Sequence, residues 1–250
     1  MKVLLASVIS VFFACNQKKV FREVARTDKI DQDIVLINIG NSTRTEIAAL
    51  LLDIEKCNPL IVGIDVFFLK NRQSLEDSIL ANAIEKVSND ILAYRFDSTG
   101  KEERSIEKFR KFVNNEGYVN LDLRNGVSSH FTPLKEVGSK LYESFALRII
   151  KQWKPNFKHN LAVNESIPIL FQRGLQQYYY FVREDLHEKD VCELLKNKIV
   201  LVGFLGPGDE DKQFTPIRSN DKELEGKPDT YGLVIQANAI RTILEYEKRD

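Results

Sequence analysis

Short apolar runs alternate with amphipathic stretches along most of the chain. Ile34-Val35-Leu36-Ile37-Asn38-Ile39 is almost continuously apolar and closes at Gly40. A β-branched run of that length reads as a strand buried on both faces. Thr43 and Glu46 form a capping box. The helix it opens carries Ile47, Leu50, Leu51 and Ile54 at helical spacing, and Asn58-Pro59 stops it. Residues 60–68 read as a second buried strand and 91–96 as a third. Between them lies a helix over 75–87 with Leu75, Ile79, Ala83 and Val87 on one face. Strand, helix, strand, helix, strand in this rhythm predicts right-handed crossovers and a mostly parallel sheet.

The middle is less regular. Residues 97–117 are charged and read as a loop with a short helix over 106–112. Residues 118–123 alternate as a strand does, and Asn125-Gly126 is a turn signal. Leu141, Phe145, Leu147, Ile149 and Ile150 give an amphipathic helix over 139–153. Residues 167–171 and 177–182 read as two strands, the second holding Tyr178-Tyr179-Tyr180-Phe181. Asp185 and Glu188 form a second capping box for a helix carrying Val191, Leu194 and Leu195. Residues 198–203 are a buried strand, 204–230 a long polar loop and 232–248 the last helix. The expected fold is α/β in a single domain: a mostly parallel central sheet with helices on both faces, in three αβα layers.

The head of the chain differs. Residues 3–15 are apolar, too short to cross a bilayer, which takes about 20 residues. The run suits the core of a secretory signal, about 7–15 residues long. Ala14-Cys15 at its end resembles a bacterial lipoprotein signal, with Cys15 as the lipid-bearing residue. An N-terminal membrane anchor is the alternative. The division expected is a signal or anchor over 1–15, a tether over 16–33 and a domain over 34–250, held in the periplasm or cell envelope by its N-terminus. Cys57 and Cys192 have no CxxC neighbour and no nearby His, so both are expected to be packed thiols rather than zinc ligands.

Composition narrows the classes. The 250 residues hold 36 Lys plus Arg and 36 Asp plus Glu, for zero formal net charge. With 29% charged and 43% hydrophobic residues, the chain is neither a disordered tail nor a multispan membrane protein. Charge neutrality gives no support to nucleic-acid binding.

The order of landmarks resembles one family. Ile34 to Ile39 with Gly40 and Arg44, then Gly63-Ile64-Asp65-Val66-Phe67-Phe68, then the helix from Glu76 to Ile84, follow the opening of the second class of CHASE domains. Gly117-Tyr118-Val119-Asn120 sits where that family has a Gly-led strand. Lys198 to Gly203, Phe214-Thr215-Pro216 and Tyr231-Gly232-Leu233-Val234-Ile235-Gln236-Ala237-Asn238 are similar to its closing pattern. Gln236 departs from it, standing where His is usual. The resemblance implies an extracellular sensory domain of a bacterial signalling system, with no catalysis of its own and no cofactor.

Candidate ligand residues gather at the expected C-terminal edge of the sheet, where α/β folds bind ligands. They are Asn41, Arg44, Asp65, Asp211, Thr215 and Asn238. Arg44 lies in a helix first turn, where the dipole disfavours a cation. Its expected partner is Asp65 in a buried ion pair, or else an anionic ligand. The bland role for Asp65 is to fix the loop after its strand. The expected partner of the whole domain is an unidentified small molecule or protein, with a homodimer among the arrangements that a ligand would select. A second reading is a metal-assisted hydrolase using Asp65, Asp209 and Asp211, which requires the three carboxylates to converge.

Overall fold

The computed structural model describes residues 27–206, 208–217 and 226–247. The chain runs β1 (Ile34–Asn38), α1 (Arg44–Lys56), β2 (Ile61–Ile64), α2 (Ser74–Lys86), β3 (Asp90–Phe96), β4 (Glu102–Glu103), α3 (Glu107–Arg110) and β5 (Asn115–Tyr118). It continues β6 (Asp122–Arg124), β7 (Val127–Phe131), β8 (Leu134–Val137), β9 (Lys140–Glu143), α4 (Phe145–Trp153), β10 (Ile167–Pro168) and β11 (Tyr179–Phe181). The last elements are α5 (Lys189–Leu195), β12 (Ile199–Gly203), β13 (Lys212–Gln213), β14 (Thr230–Tyr231) and α6 (Gly232–Leu244).

The main sheet has the order β11-β1-β12-β2-β3-β4, with β5 also on β3. Pairing is parallel from β11 through β3 and between β3 and β5. It is antiparallel between β3 and β4, and in the small sheets β10-β7-β6, β8-β9 and β13-β14. The domain is therefore α/β on a mixed sheet. Residues 102–103 read as loop and 140–143 as helix from sequence because their pairing partners are antiparallel and local, while the strand expected over 118–123 is split between the end of β5 and the start of β6.

Side chains of β1 alternate between two apolar clusters. Ile34 and Leu36 join residues of α4 and α6, while Val35 and Ile37 join residues of α1, α2 and α5. Each Leu or Ile so buried contributes about 1.5–3 kcal/mol. The Thr43–Glu46 capping box forms as expected: the Glu46 N–H donates to Thr43 Oγ1 and the Thr43 N–H to Glu46 Oε2. Asn125 and Gly126 take the positive φ angles of 54° and 76° that their hairpin turn requires.

Four local expectations are corrected. Residues 140–143 are strand β9, paired with β8 across Gly138 at φ +64°, so the helix starts only at Phe145, with Ser144 as its cap. The α2 helix is turned from the expected face: Leu75 and Ile79 are exposed, and Asp77, Leu80, Ala81, Ala83 and Ile84 point inward. The Asp185 carboxylate does not cap α5. It accepts the Val182 N–H at 2.9 Å and closes a short 3-10 turn. Cys57 and Cys192 are not free thiols but a disulfide joining the end of α1 to α5. Their separation of 135 residues hid the pairing, since spacing in sequence reveals only local thiol motifs.

Candidate functional site at the carboxyl edge of the sheet

The middle strands β1, β12 and β2 lie side by side and parallel. After β1 and β2 the chain turns to α1 and α2, on one face. After β12 it leads to α6, on the other. Neighbouring connections that leave in opposite directions define the switch point where α/β folds hold ligands. A recess of about 170 Å³ opens at the end of β1, lined by Asn38, Gly40, Ser42, Glu46 and Arg183 among others; Asp65 and Asp211 lie outside its wall.

Asp65 directly follows β2. Its N–H donates to the Val202 carbonyl at 2.8 Å, so the backbone is fixed by β12. Its carboxyl is pushed up to about 7, first by burial and then by the charge of Asp211. Burial likewise raises Asp211 to about 6, against a backbone hydrogen bond from Gly232 that lowers it. Asp211 sits against the first residue of α6. A Cβ on Gly232 would lie 2.8 Å from Asp211 Oδ2, so only glycine allows the carboxylate this close to the helix start. The Tyr231 hydroxyl donates to the Gly206 carbonyl at 2.7 Å and holds the loop beside it.

Arg44 does not reach Asp65. Its guanidinium pairs with Asp77 of α2 and donates to the Lys70 carbonyl at 2.6 Å, and it lies against the rings of Phe68 and Phe109. Burial tends to raise the Asp77 carboxyl, but the hydrogen bonds from Arg44 and the Arg72 N–H outweigh it and leave the group below its ordinary value. The cation at the helix start is thus compensated by α2, which sequence spacing could not show.

The remaining predicted residues divide. Asn41 is exposed at the rim. Thr215 is buried, with its hydroxyl 2.8 Å from that of Thr230, joining the two arms of the polar loop. Asn238 is fully buried: its Oδ1 accepts the N–H groups of Gln172 and Arg173, and its Nδ2 donates to the Arg173 and Val234 carbonyls. That set uses its hydrogen-bonding capacity and makes it a splint for α6. Gln236 donates to the Val119 carbonyl and is buried. Cys15 lies outside the described residues. Sequence reading missed Asn38, whose Oδ1 accepts the Gly40 and Leu205 N–H groups at 2.8 Å each and ties β1 to the loop after β12. A lone amide at the end of an apolar strand was the available signal.

The three-carboxylate metal arrangement is not formed. Asp209 is exposed and paired with Lys212 at 2.8 Å. Among the described residues, no group of three or more His, Cys, Asp or Glu is placed to hold a metal ion.

The chain matches a family model, the CHASE2 domain, over residues 24–250. The chain belongs to the CHASE2 domain family. CHASE2 domains are extracellular sensory domains. No curated protein and no solved structure matches the chain. Among the described residues of this CHASE2 domain, no helix is long and apolar enough to cross a membrane.

Proposed function

We propose that this CHASE2 chain is the effector-binding part of a bacterial membrane-associated signalling system, with no catalytic output of its own. The effector binds at the carboxyl edge of β1, β12 and β2, against Asp65 and Asp211, with Asn41 at the rim. Arg44, Thr215 and Asn238 hold the frame. The observation that carries the reading is the pair of half-buried carboxyls at a switch point, raised together above their ordinary range. A cationic group restores full ionisation of such a pair, so the effector carries one.

The route out of the site is α6. Asp211 rests on its first residue, and Arg241 near its far end pairs with Asp31 and Asp33 ahead of β1. A 13-residue helix spans about 20 Å. An effector that shifts Asp211 therefore acts on the segment leading to the N-terminus. Its grip must differ between two arrangements of that helix, because equal affinity moves nothing.

The disulfide supports placement outside the cytoplasm, since such bonds persist in oxidising compartments. It also uses two of the three cysteines. The third, Cys15, ends the apolar leader and is proposed as the lipid anchor.

Thermal melting with putrescine, choline and arginine tests the site. At least one is expected to raise the melting temperature of the parent, and Asp65→Asn and Asp211→Asn each abolish that shift. Shifts that survive both substitutions, or none with any of the three cations, overturn the assignment.

A further inference from the structure

A larger recess, of about 370 Å³, lies away from that edge, where β3, β4, β5, β9 and α4 meet. That volume falls in the lower range of small-molecule sites. Its walls hold four cations, Arg104, Arg110, Lys140 and Arg148, against three acids, Glu102, Glu116 and Glu143. Glu107 pairs with Arg110 at 3.2 Å and Lys151 with Glu143 at 2.5 Å from just outside, so the cluster keeps an excess of one positive charge in a chain of zero net charge.

The acids are already divided. Glu116 is shared by Arg104 at 2.7 Å and Arg110 at 2.9 Å. Glu102 serves Arg104 and, more distantly at 3.7 Å, Lys140. Glu143 serves Arg148 at 2.9 Å and Lys151 at 2.5 Å. Each carboxylate therefore meets two cations, and none has charge to spare for a third.

The inner wall is preorganised. The Arg104 guanidinium lies 3.6 Å from the centre of the Tyr94 ring, a stacked position that fixes the plane of its donors. Burial works against its charge, but Glu102 and Glu116 outweigh it and keep the group cationic. Burial raises the Tyr94 phenol to about 12, and a hydrogen bond to Glu102 raises Tyr142. Both hydroxyls are thus donors at neutral pH.

We infer that this recess binds a small organic dicarboxylate, with Lys140 and Arg148 at the rim meeting its acid groups and Arg104 stacked on Tyr94 as the inner wall. A network that only stapled β4, β5 and β9 together would make no use of the rim. Lys140 is 64% exposed and Arg148 39%, so neither contributes much as a surface pair.

Isothermal titration of the purified chain with succinate, L-malate and inorganic phosphate tests this. Succinate or malate is expected to bind, and more tightly than phosphate. Lys140→Ala and Arg148→Ala are each expected to weaken that binding about tenfold, the worth of one charge-assisted contact. Both variants should melt at the parent temperature, and Asp65→Asn should leave dicarboxylate binding unchanged. The inference is overturned by no binding of either dicarboxylate, by equal affinity for phosphate, by binding that survives both rim substitutions, or by binding lost in Asp65→Asn.

Discussion

Arg44 of α1 and Asp77 of α2 close a buried ion pair, and Asp65 is not part of it. The guanidinium also serves the Lys70 carbonyl and packs on two rings, so it is not shared with the carboxylate after β2. Among the described residues, no ion pair reaches Asp65. Burial and Asp211 then raise its carboxyl to about 7.

The pair should be costly to break and cheap to replace. Asp77→Ala leaves a buried guanidinium without its counter-ion, and Arg44→Met leaves a buried carboxylate. Each is expected to lower stability by about 3–5 kcal/mol. Replacing both with apolar residues should cost less than the sum. Urea unfolding at pH 7 measures all three, and losses below about 1 kcal/mol for the single variants would show that the pair is not buried as described.

The contribution of Asp65 and Asp211 to stability should fall with rising pH through the acid range, opposite in sign to that of Asp77, Asp97 and Asp209, whose carboxyls lie below their ordinary value. Asp65 and Asp211 have folded values of about 7 and about 6, above their ordinary unfolded value. Below about pH 4 both folded and unfolded chains hold these protons, so their contribution is fully present there. Between about pH 4 and 7 the unfolded chain releases them first, and their contribution declines until the folded groups ionise too. Asp65→Asn and Asp211→Asn should flatten that decline and raise stability at pH 8 by on the order of 1–2 kcal/mol each. Asp90, raised to about 7 by burial, adds a slope of the same sign and is kept constant in the comparison. Denaturant midpoints from pH 4 to pH 8 decide it; equal slopes in parent and variants would refute the assignment.

Cys57 and Cys192 should be recovered as one disulfide-linked peptide pair. Closing a loop of that length contributes about 3–5 kcal/mol, so Cys57→Ser with Cys192→Ser, or reduction, should lower the melting temperature markedly. Two alkylatable thiols at these positions in the oxidised chain would exclude the bond.

Gly117 should tolerate no side chain. A Cβ there would lie 2.5 Å from Phe145 Cα and 2.7 Å from its N, backbone atoms at the start of α4 that cannot turn aside. Gly117→Ala is expected to cost about 2–3 kcal/mol or more. At Gly174 a Cβ would meet nothing closer than 3.5 Å, so Gly174→Ala serves as the mild control. Equal stability of the two variants would mean that β5 and α4 do not pack this closely.

The strands were legible where apolar residues ran unbroken. β1, β3, β12 and the Thr43 cap lie where pattern and capping chemistry put them, while β2 ends at Ile64, short of the expected 60–68. What escaped depended on contacts far apart in sequence. The rotation of α2 follows from Asp77 turning in to Arg44, which periodicity ranked below Leu75 and Ile79. β9 was hidden because Leu141 and Phe145 suit a helix spacing, while the turn at Gly138 begins a hairpin instead. Asp65 and Asp211 each read as a carboxylate near the sheet edge, but the influence of Asp211 on Asp65 is a property of the fold that places them together. The recess around Arg104 left no sequence mark, because β4, β5, β9 and α4 each contribute only a charge or two to it.

The proposed effector site stands on the acid pair, and carbon-13 NMR titration of the Asp65 and Asp211 carboxyls reads it directly. Midpoints near 7 and near 6 are expected for the free chain, both moving down when putrescine is added. Two ordinary titrations near about 4, unmoved by putrescine, would contradict the site.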